Sequence, residues 1–192
     1  MYKKVIDEIR QEHYTPETVN DAVKKINSVN NLGVPVKIIK LCQDMGFSIF
    51  QQKLPENICG YIAVNGELKE RLGTDRIIAV NEKESSKRRR FTVAHELAHF
   101  LFDFDPSKIE FYNAFEIDHN DFDDERERLA NRFAAEVLMP KKAFEAEYNK
   151  VYNSHEGSSE QFYETVQELS DKFLVPPKAV EVRIKKELNL HE

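Results

Sequence analysis

The chain has 192 residues, with 28 Lys and Arg against 34 Asp and Glu, a formal charge of −6. Hydrophobic residues make up 41% and charged residues 32%, and Gly and Pro number only 6 and 7, which excludes collagenous, low-complexity and wholly disordered chains. About 70% of the surface of a chain this long can be buried, so a core forms without a disulfide or structural metal, and the net acidity argues against a general nucleic-acid binder.

No apolar run approaches the ~20 residues of a spanning helix. Asp7 and Glu8 stand where a signal peptide needs its apolar stretch, so no membrane contact and a cytoplasmic location are expected. Cys42 and Cys59 lack Cys-x-x-Cys spacing and read as two reduced, mostly buried thiols.

In chain order, Val19, Ala22, Val23, Ile26 and Val29 recur at helical steps within residues 16–31, and a second helix fits Val36 to Met45, ended by Gly46. Phe47–Phe50, Ile58–Val64 and Arg76–Val80 are rich in β-branched and aromatic residues. They are separated by Pro55, Asn65-Gly66 and Gly73, which predicts three short strands. From Ser85 the period becomes helical: Phe91, Ala94, Leu97, Ala98, Leu101 and Phe102 form a stripe, with Ser85 or Ser86 as N-cap. Asp103 to Asn120 reads as a loop. Helices follow near Asp123–Met139, Lys142–Tyr152, Glu160–Phe173 and Pro177–Leu188. Strands followed by helices predict an α+β fold, a small three-stranded sheet packed against helices with a mostly helical C-terminal half. The expected division is residues 1–153 as one domain and 154–192 as a helical pair with helix-turn-helix rhythm.

His95-Glu96-Leu97-Ala98-His99 reads H-E-x-x-H inside the predicted helix. Residues four apart are about 40° around the axis and ~6 Å along it, so both imidazoles can reach one ion, while Glu96 is turned about 100° away, beside the metal, where a base acting on water belongs. The string alone arises in roughly one chain in fifty of this composition, so its context carries the weight.

A catalytic zinc has three protein ligands, and His119, Asp121, Asp123, Asp124, Glu125 and Glu127 are the downstream candidates for the third. Glu127 continues at helical spacing into Ala130, Asn131, Ala134 and Leu138, a small and apolar stripe that lets its helix approach the histidine helix. Glu125 shares its side with Arg128, Leu129, Arg132 and Glu136, which reads as a solvated face. Glu127 is therefore the expected ligand, with Asn131 one turn on able to orient a ligand through its amide.

The runs Arg89 to His99 and Glu127 to Pro140 resemble the ImmA/IrrE family of metallopeptidases, the second run being the more diagnostic. The resemblance is strong over about residues 35–140 and weaker into the C-terminal helices. It implies a zincin-like domain in which His95, His99 and Glu127 hold zinc and Glu96 activates water, and whose ligand set resembles that of gluzincins. It further implies cleavage of a helix-turn-helix repressor of a mobile element, prophage or stress regulon. Other members pair with small regulators in toxin–antitoxin-like loci without established proteolysis. The departure is Leu129, where acidic residues are common.

By ligand type the expected ion is zinc, with Mn²⁺ or Fe²⁺ able to substitute. Tyr112, His119, Tyr148 and His155 are candidate oxyanion donors, among which the sequence does not choose. Lys87-Arg88-Arg89-Arg90 opens the histidine helix and reads as a solvated basic face, partly balanced by Asp121, Asp123 and Asp124 if the helices pack together. Residues 158–192 hold 5 basic and 7 acidic side chains, so their expected role is packing or partner docking rather than DNA binding.

Overall fold

A computed structural model describes residues 2–29, 33–104, 111–114 and 125–187. In chain order its elements are helices α1 (Tyr2–Arg10), α2 (Val19–Val29) and α3 (Ile38–Asp44), strands β1 (Ser48–Gln52) and β2 (Gly60–Val64), α4 (Gly66–Leu72), β3 (Arg76–Asn81), α5 (Ser86–Phe102) and β4 (Phe111–Ala114). Helices α6 (Glu125–Leu138), α7 (Lys141–Ser154), α8 (Gln161–Phe173) and α9 (Pro177–Glu187) follow. The α+β reading holds: helices pack on one small sheet.

The sheet runs β1-β3-β2-β4, with β1 parallel to β3 and the other pairs antiparallel. Three of these strands are the expected ones. The fourth, β4, lies in the stretch read as a loop and pairs with β2 from Gly60↔Ala114 to Ala63↔Phe111. Two helices also join those expected. In α1, Val5, Ile6 and Ile9 are buried in the common core. Helix α4 buries nothing and is held by its ends: Asn65 Oδ1 accepts from the Glu67 N–H at 2.9 Å, and Gly73 closes the helix at φ 73°.

Helix α5 is the centre of the molecule. Ser85 caps it, its Oγ accepting from the Arg88 N–H at 3.2 Å, and every residue from Phe91 to Leu101 is buried. One face packs on β2 and β3 and another on α6. The approach to the sheet depends on Gly60, where a Cβ would sit 2.6 Å from both Ala79 O and Thr92 Cγ2. Helix α5 also packs on α6, and Ala94, Ala98, Ala130 and Ala134 of the two helices are all buried. Small side chains on both helices bring the two backbones together, as the stripe after Glu127 predicts.

The basic run at the start of α5 is not a solvated face. Lys87 donates to Ser170 Oγ at 2.8 Å and pairs with Asp171 at 2.6 Å. Arg89 donates to the carbonyls of Glu82 and Glu84, and Arg90 to those of Leu174 and Val36. These cations tie α5 to α8, to the turn before it and to the segment before α3. The three aspartates expected to balance them lie outside the described residues.

On the face of α6 expected to be solvated, Glu125 and Arg128 are exposed, but Leu129 and Glu136 are buried. Glu136 meets Arg132 one turn earlier and Arg183 of α9 at 2.6 Å, and Arg183, itself buried, lies over the Phe144 ring. Val166, Leu169, Phe173, Val180 and Ile184 of α8 and α9 belong to the same core as α5 and α6. Leu129 is 7% exposed, so the departure from the family pattern serves packing. Cys42 is buried and Cys59 half-buried, and both are free thiols. No helix among the described residues is long and apolar enough to cross a membrane.

Candidate metal centre

Helix geometry in α5 puts His95 and His99 one turn apart on the side facing α6. Their rings meet at 71° with centroids 4.7 Å apart, and the two Nε2 atoms are separated by 3.0 Å. Glu127, in the first turn of α6, reaches across the seam: Oε2 lies 3.2 Å from His95 Nε2 and Oε1 3.2 Å from His99 Nε2. The three predicted ligands are thus brought together, one donor atom from each falling within 4.8 Å of the others.

Each imidazole is oriented from behind. His95 Nδ1 donates to Asn131 Oδ1 at 3.1 Å, and His99 Nδ1 donates to Asp103 Oδ2 at 2.7 Å. With both Nδ1 atoms donating outward, both Nε2 atoms point into the cluster, where they face the two carboxylate oxygens. These four atoms sit at such separations only with positive charge among them, a proton on His99 in the metal-free protein or a cation in its place. A tetrahedral ion with donors at about 2.0–2.1 Å sets those donors about 3.3 Å apart. The observed 3.0 and 3.2 Å are close to that edge, so the residues fit a zinc-sized cation.

The electrostatics express the same demand. Burial opposes a charge on His99, but its hydrogen bonds to Asp103 and Glu127 and the nearby Glu96 outweigh it and push His99 up to about 10. Burial is the largest influence on His95 and holds it below its ordinary value despite Glu127. Burial also works against the Glu127 charge, yet the two imidazoles hold its carboxyl far below the usual range.

Glu96 is fully buried, and neither carboxylate oxygen has a hydrogen-bond partner among the described residues. Burial raises it to about 8, with His99 pulling it down and Glu127 pushing it up, so it lies within electrostatic reach of both. A carboxylate left without partners in a dry interior is costly unless something else there engages it. The cluster opens toward solvent on the Glu127 side, whose side chain is 31% exposed against 9% and 7% for the histidines.

Asp103 is the residue sequence reasoning missed. The signal was available: it stands four residues after His99 at the C-cap of the same helix, the spacing at which an acid can hold an imidazole. Of the candidate oxyanion donors, Tyr148 instead stacks with Phe144 and Tyr152 along α7, and His155 is held by Glu168 at 3.1 Å and Glu164 at 3.5 Å. His119 and the Tyr112 side chain lie outside the described residues.

No curated protein sequence matches the chain. Among solved structures, a Mycobacterium tuberculosis transcriptional regulator is similar in fold, with a TM-score of 0.52 and 16% sequence identity over 96% of this chain and 52% of that one. The chain therefore spans about half the length of that protein. The model of the IrrE N-terminal-like domain (Peptidase_M78) matches residues 42–185, from α3 to α9, taking in both histidines, Glu96 and Glu127, and the chain belongs to this family.

Proposed function

We propose that the chain is a zinc-dependent endopeptidase, acting as an antirepressor that cuts a helix-turn-helix repressor of a mobile element, prophage or stress regulon. The observation that carries the reading is the convergence of three donors on one point beside a buried carboxylate with no other partner. His95, His99 and Glu127 would hold the metal, which when bound supplies Lewis acidity to water and to the scissile carbonyl. Glu96 takes a proton and returns it to the leaving amine, a role favoured by burial that keeps its carboxyl near neutral pH in the metal-free protein. Asp103 and Asn131 keep both Nδ1 atoms donating, so that each Nε2 stays an acceptor.

The repressor as substrate is supported by the family and by the likeness in fold to a protein named as a transcriptional regulator. A cytoplasmic setting is supported by two free thiols. Direct contact with DNA forms no part of the reading, because residues 158–192 carry 7 acidic and 5 basic side chains.

The test is incubation of the purified protein and the product of an adjacent repressor gene with zinc or manganese, with fragments read by mass spectrometry. Cleavage by the wild type and a loss of 10²-fold or more in Glu96→Gln, with zinc retained, is the expected result. Cleavage at the wild-type rate by that variant removes Glu96 from the mechanism. A stable complex that is never cut favours instead a regulator of toxin–antitoxin type that sequesters its partner.

A further inference from the structure

A cavity of about 330 Å³ opens between the start of α5, α6 and α9; Asn131, which orients His95, is part of its lining, but His95, Glu96, His99 and Glu127 are not. Its floor is apolar: Phe91, Ala135, Pro176, Ala179 and Val182. Among the described residues, every ionisable side chain that lines it is a cation, namely Arg88, Arg128, Arg132, Lys178, Arg183 and Lys186.

Some of these cations have acidic neighbours among the described residues. Glu136 meets Arg132 and Arg183, Glu181 pairs with Lys178 at 3.1 Å, and Glu17 lies within electrostatic reach of Arg128 and Lys186. The chain as a whole is acidic, with a formal charge of −6, so this collection of cations stands against its overall charge. Arg128 and Lys186 form no ion pair among the described residues, and both are exposed at the mouth. Burial, with Arg132 and Arg183 as like-charged neighbours, holds the Lys186 ammonium below its usual value. The basic cluster at the start of α5 is spent largely on carbonyls and carboxylates of this chain, whereas Arg128 and Lys186 make no such contact among the described residues.

Like charges collected around an apolar space repel each other and expose hydrophobic surface. Both costs fall when an anion with an apolar body enters. A volume of this size belongs to small-molecule sites, whereas a docked protein segment needs about 800 Å² of surface on each side. The geometry points to this cavity as a binding site for a small amphipathic anion, a carboxylate or phosphate on a short apolar body. Arg128 and Lys186 meet the head group, and Phe91 and Val182 meet the body.

The test is isothermal titration of the full chain, zinc-loaded and zinc-stripped, with octyl phosphate and with octanoate. One saturable site for either probe in both preparations is expected, so the outcome does not depend on the metal centre. Inorganic phosphate and octanol, each carrying half of the chemistry, should bind at least tenfold more weakly. The variant Arg128→Glu/Lys186→Glu should lower affinity at least tenfold, and Val182→Asp should do the same from the apolar side. All three side chains are exposed, and an unchanged circular dichroism spectrum and melting temperature certify the fold. The inference is overturned by the absence of saturable binding, by octanol binding as well as the anions, by affinity unchanged in both variants, or by an acidic peptide binding where the two probes do not.

Discussion

Replacing Glu136 by alanine removes a buried carboxylate that meets both Arg132 of α6 and Arg183 of α9. The Arg183 side chain is 0% exposed and that of Glu136 2%, so water cannot take over the lost partner. Breaking a buried pair from one side costs about 3–5 kcal/mol, because the remaining cation stays desolvated. Unfolding entropy of about 2.1 cal/mol/K per residue gives roughly 400 cal/mol/K for this chain, so the melting temperature should fall by about 7–12 °C. Differential scanning calorimetry at matched zinc content reads this directly. Replacing Glu136 and Arg183 together by methionine should recover most of the loss, since an apolar pair of similar volume is often neutral. A drop below about 2 °C for Glu136→Ala, the size of an ordinary surface change, would refute the idea that this charge cluster fastens α9 to α6.

Asn131→Ala and Asp103→Ala should each weaken zinc binding about 10–100-fold in competition with a chelator while leaving the helices intact, because each removes the acceptor that fixes one imidazole; unchanged affinity would show that neither orients its ring. Gly60→Ala should destabilise the protein by about 1–3 kcal/mol in urea unfolding, since the new methyl meets a backbone oxygen and a buried Thr92 methyl at 2.6 Å, and Thr92→Ser should relieve part of it. Failure of Thr92→Ser to relieve any of it would count against that clash as the cause. Burial pushes the Cys42 thiol far above its ordinary value, so a thiol reagent applied to the native protein at pH 8 should leave Cys42 unlabelled until denaturant is added. Rapid native labelling of Cys42 would contradict its placement in the core.

The parts legible in advance were those encoded by local period. The spacing of His95 and His99 fixed their common side of a helix, and the small residues after Glu127 identified the acid that could approach them. Local signals were weaker where structure depends on distant partners. Glu136 looks solvated on its own helix because the cation that buries it, Arg183, is 47 positions later. Lys87 to Arg90 read as a surface run because carbonyl acceptors leave no trace in a sequence. The four residues of β4 carry too short a pattern to announce a strand, and only the edge of β2 defines them. Helix α4 buries no side chain, so no apolar stripe betrays it, although Asn65 and Gly73 mark its two ends.

The central claim is that one divalent cation is held jointly by His95, His99 and Glu127. Anomalous diffraction at the zinc edge from zinc-soaked crystals tests it most directly. A single strong peak within about 2.0–2.2 Å of both Nε2 atoms and a Glu127 oxygen is expected, and it should vanish in Glu127→Ala. Full zinc occupancy elsewhere, or a peak among the histidines with the Glu127 carboxylate turned away, would contradict it.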